Sequence, residues 1–182
     1  MNREYDLFLP WKTADSITVF DQIKPESLFR LNPHWVINEF ACTENVFTAD
    51  MADHETGSPV NLSGEYNRDR SGFPIISADN SEWGVIRFLE KDGSLHADVS
   101  YVTEPPEEIE QKIVLWLRAI KEYLRLYLTK SLNTRFFKLV MNRVILPMTP
   151  SQRKISLMLM RITVLEILVI FIILFGWFFF LR

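Results

Sequence analysis

The feature that most constrains this chain is an uncharged apolar run near its C-terminal end, residues 167–181. Thirteen of these 15 residues are Leu, Ile, Val or Phe. Extending the run back to residue 162 gives a helix of about 30 Å at 1.5 Å per residue, which matches the hydrocarbon thickness of a bilayer. We therefore predict one transmembrane helix, within a tail segment of residues 151–182, that ends at Leu181–Arg182.

The extended helix contains one carboxylate, Glu166. The apolar residues after it favour insertion by about 4–8 kcal/mol in total, whereas a carboxylate at the helix centre costs about 3 kcal/mol. Insertion is therefore expected in spite of the charge. Glu166 then either lies near the membrane surface or contacts a polar group on a neighbouring transmembrane helix, and the sequence leaves both alternatives open.

Charge is distributed unevenly along the chain. Residues 1–122 contain 11 basic and 22 acidic residues, whereas residues 123–182 contain nine basic residues and only one acid. Three bases stand shortly before the apolar run: Arg153, Lys154 and Arg161. Because positive residues flank the cytoplasmic end of a span, we expect a single-pass, tail-anchored protein with its N-terminal domain in the cytoplasm and its C-terminus outside.

A basic connector, residues 129–150, precedes the tail. Residues 132–146 form an amphipathic helical pattern, and Thr149 or Ser151 is placed to cap the next helix. We expect contacts with the membrane or a partner from its bases: Arg135, Lys138 and Arg143. The helix either lies among anionic lipid headgroups or packs on protein. Nucleic-acid binding is not expected, since the bases do not surround an aromatic platform.

The remaining residues, 1–128, alternate in a manner typical of strands. Residues 16–21 predict a first strand, and residues 25–31 predict a short helix with Pro25 near its start. Six more strands are predicted, at residues 35–43, 46–51, 62–66, 73–78, 83–89 and 95–102. Residues 90–93 predict a hairpin turn between the last two.

A long amphipathic helix follows the predicted strands. Glu107 and Glu108 place acid in its first turn, as the helix dipole favours. Its apolar residues recur every three or four positions: Ile109, Ile113, Trp116, Leu117, Ile120 and Leu124. This stripe should pack on the sheet.

The order of elements over residues 10–128, with Pro25-Glu26-Ser27-Leu28-Phe29 and the long final helix, resembles the START-like (SRPBCC) superfamily of lipid-transfer domains, polyketide cyclases and pollen allergens. The resemblance implies an α+β helix-grip fold, an antiparallel curved sheet wrapped on the long helix with an apolar cavity between them. The candidate cavity residues are aromatic: Trp35, Phe47, Tyr66, Phe73, Trp83, Phe88, Tyr101 and Trp116.

Signals for catalysis or metal binding are weak. The acidic group Asp50, Asp53, His54 and Glu55 falls on a predicted loop, where neighbouring residues rarely converge on one ion. His34 and His96 fit structural roles, and the sequence contains no phosphate loop, nucleophile elbow or paired cysteines. We therefore predict no metal, no cofactor and no catalytic residues.

Two functions fit these features. The first is a membrane-anchored, non-enzymatic module that binds a hydrophobic small molecule, a lipid or a quinone-like compound, at the cytoplasmic face. The second is an accessory or assembly subunit of a larger membrane complex, in contact with other transmembrane subunits. A cyclase-type enzyme has the least support, because no acid–base pair stands out.

Overall fold

The structure, a computed structural model, describes residues 1–129 and 131–180. Seven strands form one antiparallel sheet in the order β1-β7-β6-β5-β4-β3-β2. Their bounds are β1 Asn2–Pro10, β2 Trp35–Thr43, β3 Val46–Asp53, β4 Pro59–Arg68, β5 Pro74–Ala78, β6 Trp83–Lys91 and β7 Ser94–Tyr101.

Five α-helices and one π-helical turn accompany the sheet in the described part of the chain. They are α1 Thr13–Phe20, α2 Pro25–Arg30, α3 Glu107–Leu128, α4 Leu132–Val140, the π-helical turn Met141–Ile145, and α5 Pro150–Phe180. The curved antiparallel sheet with a long C-terminal helix confirms the predicted helix-grip fold class. Lys130 in the predicted connector and the predicted end of the span at Leu181–Arg182 lie outside the described residues.

The predicted strand at residues 16–21 is wrong, because this segment belongs to α1. Val19 and Phe20 at the end of α1 are buried, as is Ile23 in the turn after it, so packing overrides the β-propensity of the segment. The guanidinium of Arg68 binds the C-terminal end of α1. It forms an ion pair with Asp21, the residue after the helix, and its Nη2 donates to the Phe20 carbonyl at 2.8 Å.

The true first strand, β1, lies N-terminal to the predicted one. Leu7 and Leu9 are buried and alternate with exposed Asp6 and Phe8. This alternation covers few residues and includes acidic ones, so the sequence pattern alone does not predict the strand. Because β1 pairs with β7 at one edge of the sheet, the sheet includes residues 2–10, which precede the order of elements described for residues 10–128.

Two hairpin turns that the sequence predicts are present in the structure. Thr43 pairs with Val46, so β2 and β3 are joined through two residues as predicted. Lys91 pairs with Ser94, and the two residues between them have positive φ angles of 54° and 74°. Two positive φ values define the type I′ turn, which matches the right-handed twist of the strands.

Helix α3 buries one face against the rest of the domain. Its buried residues are Ile113, Trp116, Leu117, Ile120, Tyr123 and Leu124. The indole Nε1 of Trp116 donates to the Leu28 carbonyl at 2.6 Å, which joins α3 to α2. The predicted apolar stripe is therefore confirmed through most of its length, and Tyr123 adds a polar hydroxyl near its C-terminal end.

Contacts divide the chain into two compact units, one ending at Pro147 and the other beginning at Met148. In the second unit, Thr149 caps α5 as predicted. The Gln152 N–H donates to Thr149 Oγ1 at 3.4 Å, and Gln152 Oε1 accepts the Thr149 N–H at 2.9 Å. The stretch Pro150–Phe179 is long and apolar enough to cross a membrane.

Candidate functional site

A cavity of about 280 Å³ lies between the inner face of the sheet and the first half of α3. Four strands (β2, β3, β4 and β6), the turn before β6 and α3 all contribute to it. The lining residues are Trp35, Met51, Asp53, Val60, Leu62, Asn80, Ser81, Glu82, Trp83, Ile109, Lys112 and Ile113.

Aromatic rings support the apolar part of this cavity. Trp35 and Trp83 line it, and the fully buried Trp116 packs beneath both, with ring centroids 5.0 Å and 5.6 Å away. Aliphatic side chains from β3, β4 and α3 complete the lining. Rigid indole rings and branched aliphatic chains suit a flat, apolar ligand.

An ion-pair network forms the polar part of the lining. Lys112 Nζ lies 3.2 Å from Asp53 Oδ2 and 2.8 Å from Glu108 Oε1. Asp53 Oδ1 also accepts the backbone N–H groups of Glu55 and Thr56, each at 2.9 Å. Because Lys112 has two carboxylate partners, its charge is already neutralised, and the cavity offers no free cation to an anionic ligand.

The network shifts the pKa values of both partners. Burial alone would raise the pKa of Asp53, but the Thr56 N–H, the Lys112 ammonium and the Glu55 N–H lower it from 3.8 to about 2. The hydrogen bond from Lys112 to Glu108, with further help from Asp53, raises the pKa of Lys112 against the effect of burial. Both groups therefore stay charged at physiological pH.

We expect Asp53→Asn to remove a pH-dependent part of the stability. A pKa that is lower in the folded state means that ionised Asp53 stabilises the fold above about pH 4, and that this stabilisation is lost as the pH falls toward 2. The free energy of unfolding should therefore differ between wild type and variant by about 2 kcal/mol near neutral pH, and the difference should shrink in acid.

Denaturant titrations at several pH values measure this difference. Asp79→Asn, at an exposed carboxylate outside the cavity, is the matched control. A gap between wild type and Asp53→Asn that stays constant down to the acid limit would contradict the role given to the ion pair.

The eight aromatic candidates from the sequence fall into three groups. Trp35 and Trp83 line the cavity and Trp116 supports them. The others are buried elsewhere in the domain: Phe47, Tyr66, Phe73, Phe88 and Tyr101. Among these, Phe47 packs on α2 through Phe29, and Phe73 and Phe88 pack on α1 through Phe20.

Sequence reasoning missed the polar lining. Asp53 falls at the end of β3 and Lys112 in the first third of α3, 59 residues apart, so their spacing gives no sign that they meet. Only the acidic group at residues 50–55 marks this region in the sequence, and its residues do not predict a metal site. Within the described residues, no group of three or more His, Cys, Asp or Glu is placed to hold a metal ion.

Three larger depressions, of about 520 to 630 Å³, lie elsewhere on the domain. The largest is lined only by residues from β2 to β4 and the turn after β5, and six of its ten lining residues are polar. The other two lie beside β1, one near α1 and the other along α3. The cavity of about 280 Å³ differs from these three because Trp35 and Trp83 line it between the sheet and α3.

The predicted membrane or partner contacts lie on three consecutive elements. Arg135 and Lys138 are on α4, and Arg143 is on the π-helical turn. The remaining four are on α5: Arg153, Lys154, Arg161 and Glu166. Lys138 Nζ sits 3.9 Å from the ring centroid of Tyr127, and burial lowers the pKa of Lys138.

No protein-family profile and no curated protein matches this chain. Among solved structures, Chr148 from Cytophaga hutchinsonii is 14% identical over 71% of this chain and 94% of its own, with a TM-score of 0.46.

The AHSA1-like protein from Aeromonas hydrophila is 11% identical over 69% of this chain and 92% of its own, with a TM-score of 0.48. Protein CV1439 from Chromobacterium violaceum is 13% identical over 67% and 94%, with a TM-score of 0.46. The helix-grip class itself follows from the chain's own strand order and long helix.

Proposed function

We propose that this protein is a membrane-anchored module that binds a small hydrophobic ligand in the cavity between the sheet and α3. The observation that carries the proposal is the position of that cavity, with Trp35 and Trp83 in its lining and Trp116 beneath them. At about 280 Å³ the cavity lies just below the range of about 300–1,000 Å³ for drug-sized ligands, so it takes a small ring system and not a whole phospholipid.

The polar lining further restricts the chemical class of the ligand. Since Lys112 is held by Asp53 and Glu108, a free carboxylate or phosphate on the ligand would have to compete with an existing ion pair. Asn80 and Ser81 add neutral hydrogen-bonding groups. A neutral compound with carbonyl or hydroxyl oxygens, such as a quinone-like molecule, fits this combination.

Binding without catalysis fits the same lining. It contains no histidine or cysteine, and its single lysine is paired with two carboxylates. A nucleophile or general base needs a neighbour that activates it, so a paired lysine supports binding more than catalysis.

Membrane anchoring is supported by the composition of α5. This helix is long and apolar enough to span a bilayer, and Arg153, Lys154 and Arg161 lie toward its N-terminal end. By the positive-inside rule, the cavity domain lies in the cytoplasm and the C-terminus outside. A tether of this kind raises the local concentration of the domain beside the bilayer that dissolves its ligand.

We expect Val60→Phe to weaken ligand binding by about tenfold or more, because Val60 lines the cavity and a larger side chain fills it. The probe is menadione, a small naphthoquinone, titrated into the full chain in lipid nanodiscs with tryptophan fluorescence as the signal. Both proteins carry Trp177→Phe, since Trp177 on α5 is 70% exposed and would report on dissolved probe.

Val46→Phe is the matched control. Val46 lies on the neighbouring strand β3 but is 55% exposed and outside the cavity lining. Equal menadione affinity for wild type and Val60→Phe would contradict the proposed site. Native mass spectrometry of the extracted chain adds a second test: a retained small molecule supports the binding module, whereas co-purified protein subunits favour the accessory role.

A further inference from the structure

The segment formed by α4 and the π-helical turn packs on α3 through its polar side. The Tyr123 hydroxyl donates to Asn142 Oδ1 at 2.7 Å, and Asn142 Nδ2 donates to the Tyr127 hydroxyl at 3.1 Å. Lys138 places its ammonium over the Tyr127 ring, with Nζ 3.9 Å from the centroid. Lys138 and Asn142, on one side of this segment, therefore face α3.

The apolar side of the same segment faces outward. Phe136 is 64% exposed, Phe137 55%, Leu139 54% and Val144 43%. A surface helix of a water-soluble domain normally does the opposite, burying its apolar stripe and leaving its polar face in water. Four neighbouring apolar side chains on one short segment indicate that an apolar phase covers them.

Two features identify a lipid bilayer as that phase. Residues 123–165 contain eight bases and no acid, which suits an anionic lipid surface. Only four residues separate Ile145, the last residue of the π-helical turn, from Pro150, the first of α5. At about 3.5 Å per residue, the chain length limits the distance between Ile145 and Pro150 to roughly 20 Å.

We propose that Phe136, Phe137, Leu139 and Val144 insert into the boundary between headgroups and acyl chains of an anionic bilayer. Arg135 and Arg143, on the same segment, then lie among the lipid phosphates. The inference rests on the proposed anchoring by α5 and extends it, since it gives the domain a second attachment to the same membrane. Through the Asn142 hydrogen bonds, this attachment holds the C-terminal end of α3 at the lipid surface.

A fluorescent probe reports insertion directly. The full chain, with Cys42→Ser, carries Asn133→Cys labelled with NBD and is reconstituted into vesicles of phosphatidylcholine alone or mixed with phosphatidylglycerol. Asn133 lies one turn before Phe137, on the outward side of α4. The control label is at exposed Thr48 on β3.

We expect iodide to quench the probe at Asn133 weakly in anionic vesicles and the probe at Thr48 strongly in both kinds. Each base near an anionic surface contributes about fivefold, so Arg135→Gln with Arg143→Gln should lower the ratio of inserted to exposed helix about 25-fold. Phe136→Ser with Phe137→Ser should also restore quenching. The matched charge control is Arg70→Gln with Arg87→Gln, at two exposed positions elsewhere in the domain.

The outcomes separate this inference from the proposed anchor. If the chain resists alkaline carbonate extraction but iodide quenches Asn133 and Thr48 equally, the anchor stands and the inference is overturned. If the protection of the Asn133 probe from iodide depends on the protein-to-lipid ratio and not on lipid charge, a second copy of the chain covers the helix. The inference is then again overturned. If carbonate releases the chain, the anchor itself fails, and the inference falls with it.

Discussion

Gly64→Ala is expected to lower the free energy of unfolding by about 3 kcal/mol. Gly64 lies in β4, where it pairs with Phe47 on one side and Ala78 on the other. A Cβ added here would come within 1.8 Å of the Ser77 carbonyl oxygen and 2.9 Å of its carbon. Those are backbone atoms of β5, so relief requires the strand pairing itself to shift.

Gly64→Ala should change the shape of the cavity as well as lower the global stability. Strand β5 has only five residues and leads directly into the turn that carries Asn80 and Ser81. Because β5 also pairs with β6, a displaced β5 moves the strand that begins at Trp83. Weaker ligand binding should therefore accompany the lower stability.

Gly84→Ala is the matched control, because Gly84 lies in β6 of the same sheet. Its added Cβ would meet the nearest atoms at 3.5 Å and 3.6 Å, which are ordinary van der Waals distances. This change should be neutral or stabilising by about 0.5 kcal/mol, since alanine restricts the unfolded chain more than glycine does. Urea titration of the full chain measures both variants, and equal midpoints would show that the sheet absorbs the clash at Gly64 without loss.

The sequence predicted those parts of the fold whose signals are local. The apolar spacing of α3 and the hairpin turn at residues 90–93 are set by residues close together in the chain. The segment at residues 16–21 was misassigned because its β-branched residues favour a strand locally, whereas Val19 and Phe20 are buried as part of a helix. Such a conflict between propensity and packing is resolved only by the rest of the core.

The candidate site was predicted less fully, and for a related reason. Trp35 and Trp83 could be named as cavity residues because the resemblance implies an apolar cavity and both are large and apolar. The pairing of Lys112 with Asp53 depends on how α3 lies across the sheet. The spacing of residues along the sequence does not predict that arrangement. The amphipathic pattern of α4 was visible, but Tyr123 and Tyr127, 11 or more residues before Lys138 in the chain, decide which face points inward.

Trp116→Ala should have the largest effect on stability, a loss of about 4 kcal/mol. Trp116 is fully buried, and its ring centroid lies 5.6 Å from Phe29, 5.0 Å from Trp35 and 5.6 Å from Trp83. Truncation removes these contacts and leaves the Leu28 carbonyl without the hydrogen bond from Nε1. The loss combines a cavity in the core with a lost buried hydrogen bond, and the Leu28 carbonyl keeps the longer bond from the Leu31 N–H at 3.3 Å.

Two further variants separate those contributions. Trp116→Phe keeps an aromatic ring but removes the N–H, so it should cost about 2 kcal/mol from the lost hydrogen bond to the Leu28 carbonyl and the smaller ring. Trp177→Ala, on α5 with 70% of the residue exposed, should leave the unfolding of the domain unchanged.

The same substitutions test whether Trp116 supports the cavity. Removing the indole of Trp116 leaves space beneath Trp35 and Trp83, so menadione should bind Trp116→Phe more weakly even where that variant is fully folded. Urea midpoints and menadione titrations on the same samples distinguish the two effects. If Trp116→Phe lost stability but bound menadione as wild type does, Trp116 would hold α3 to α2 through Leu28 without shaping the cavity.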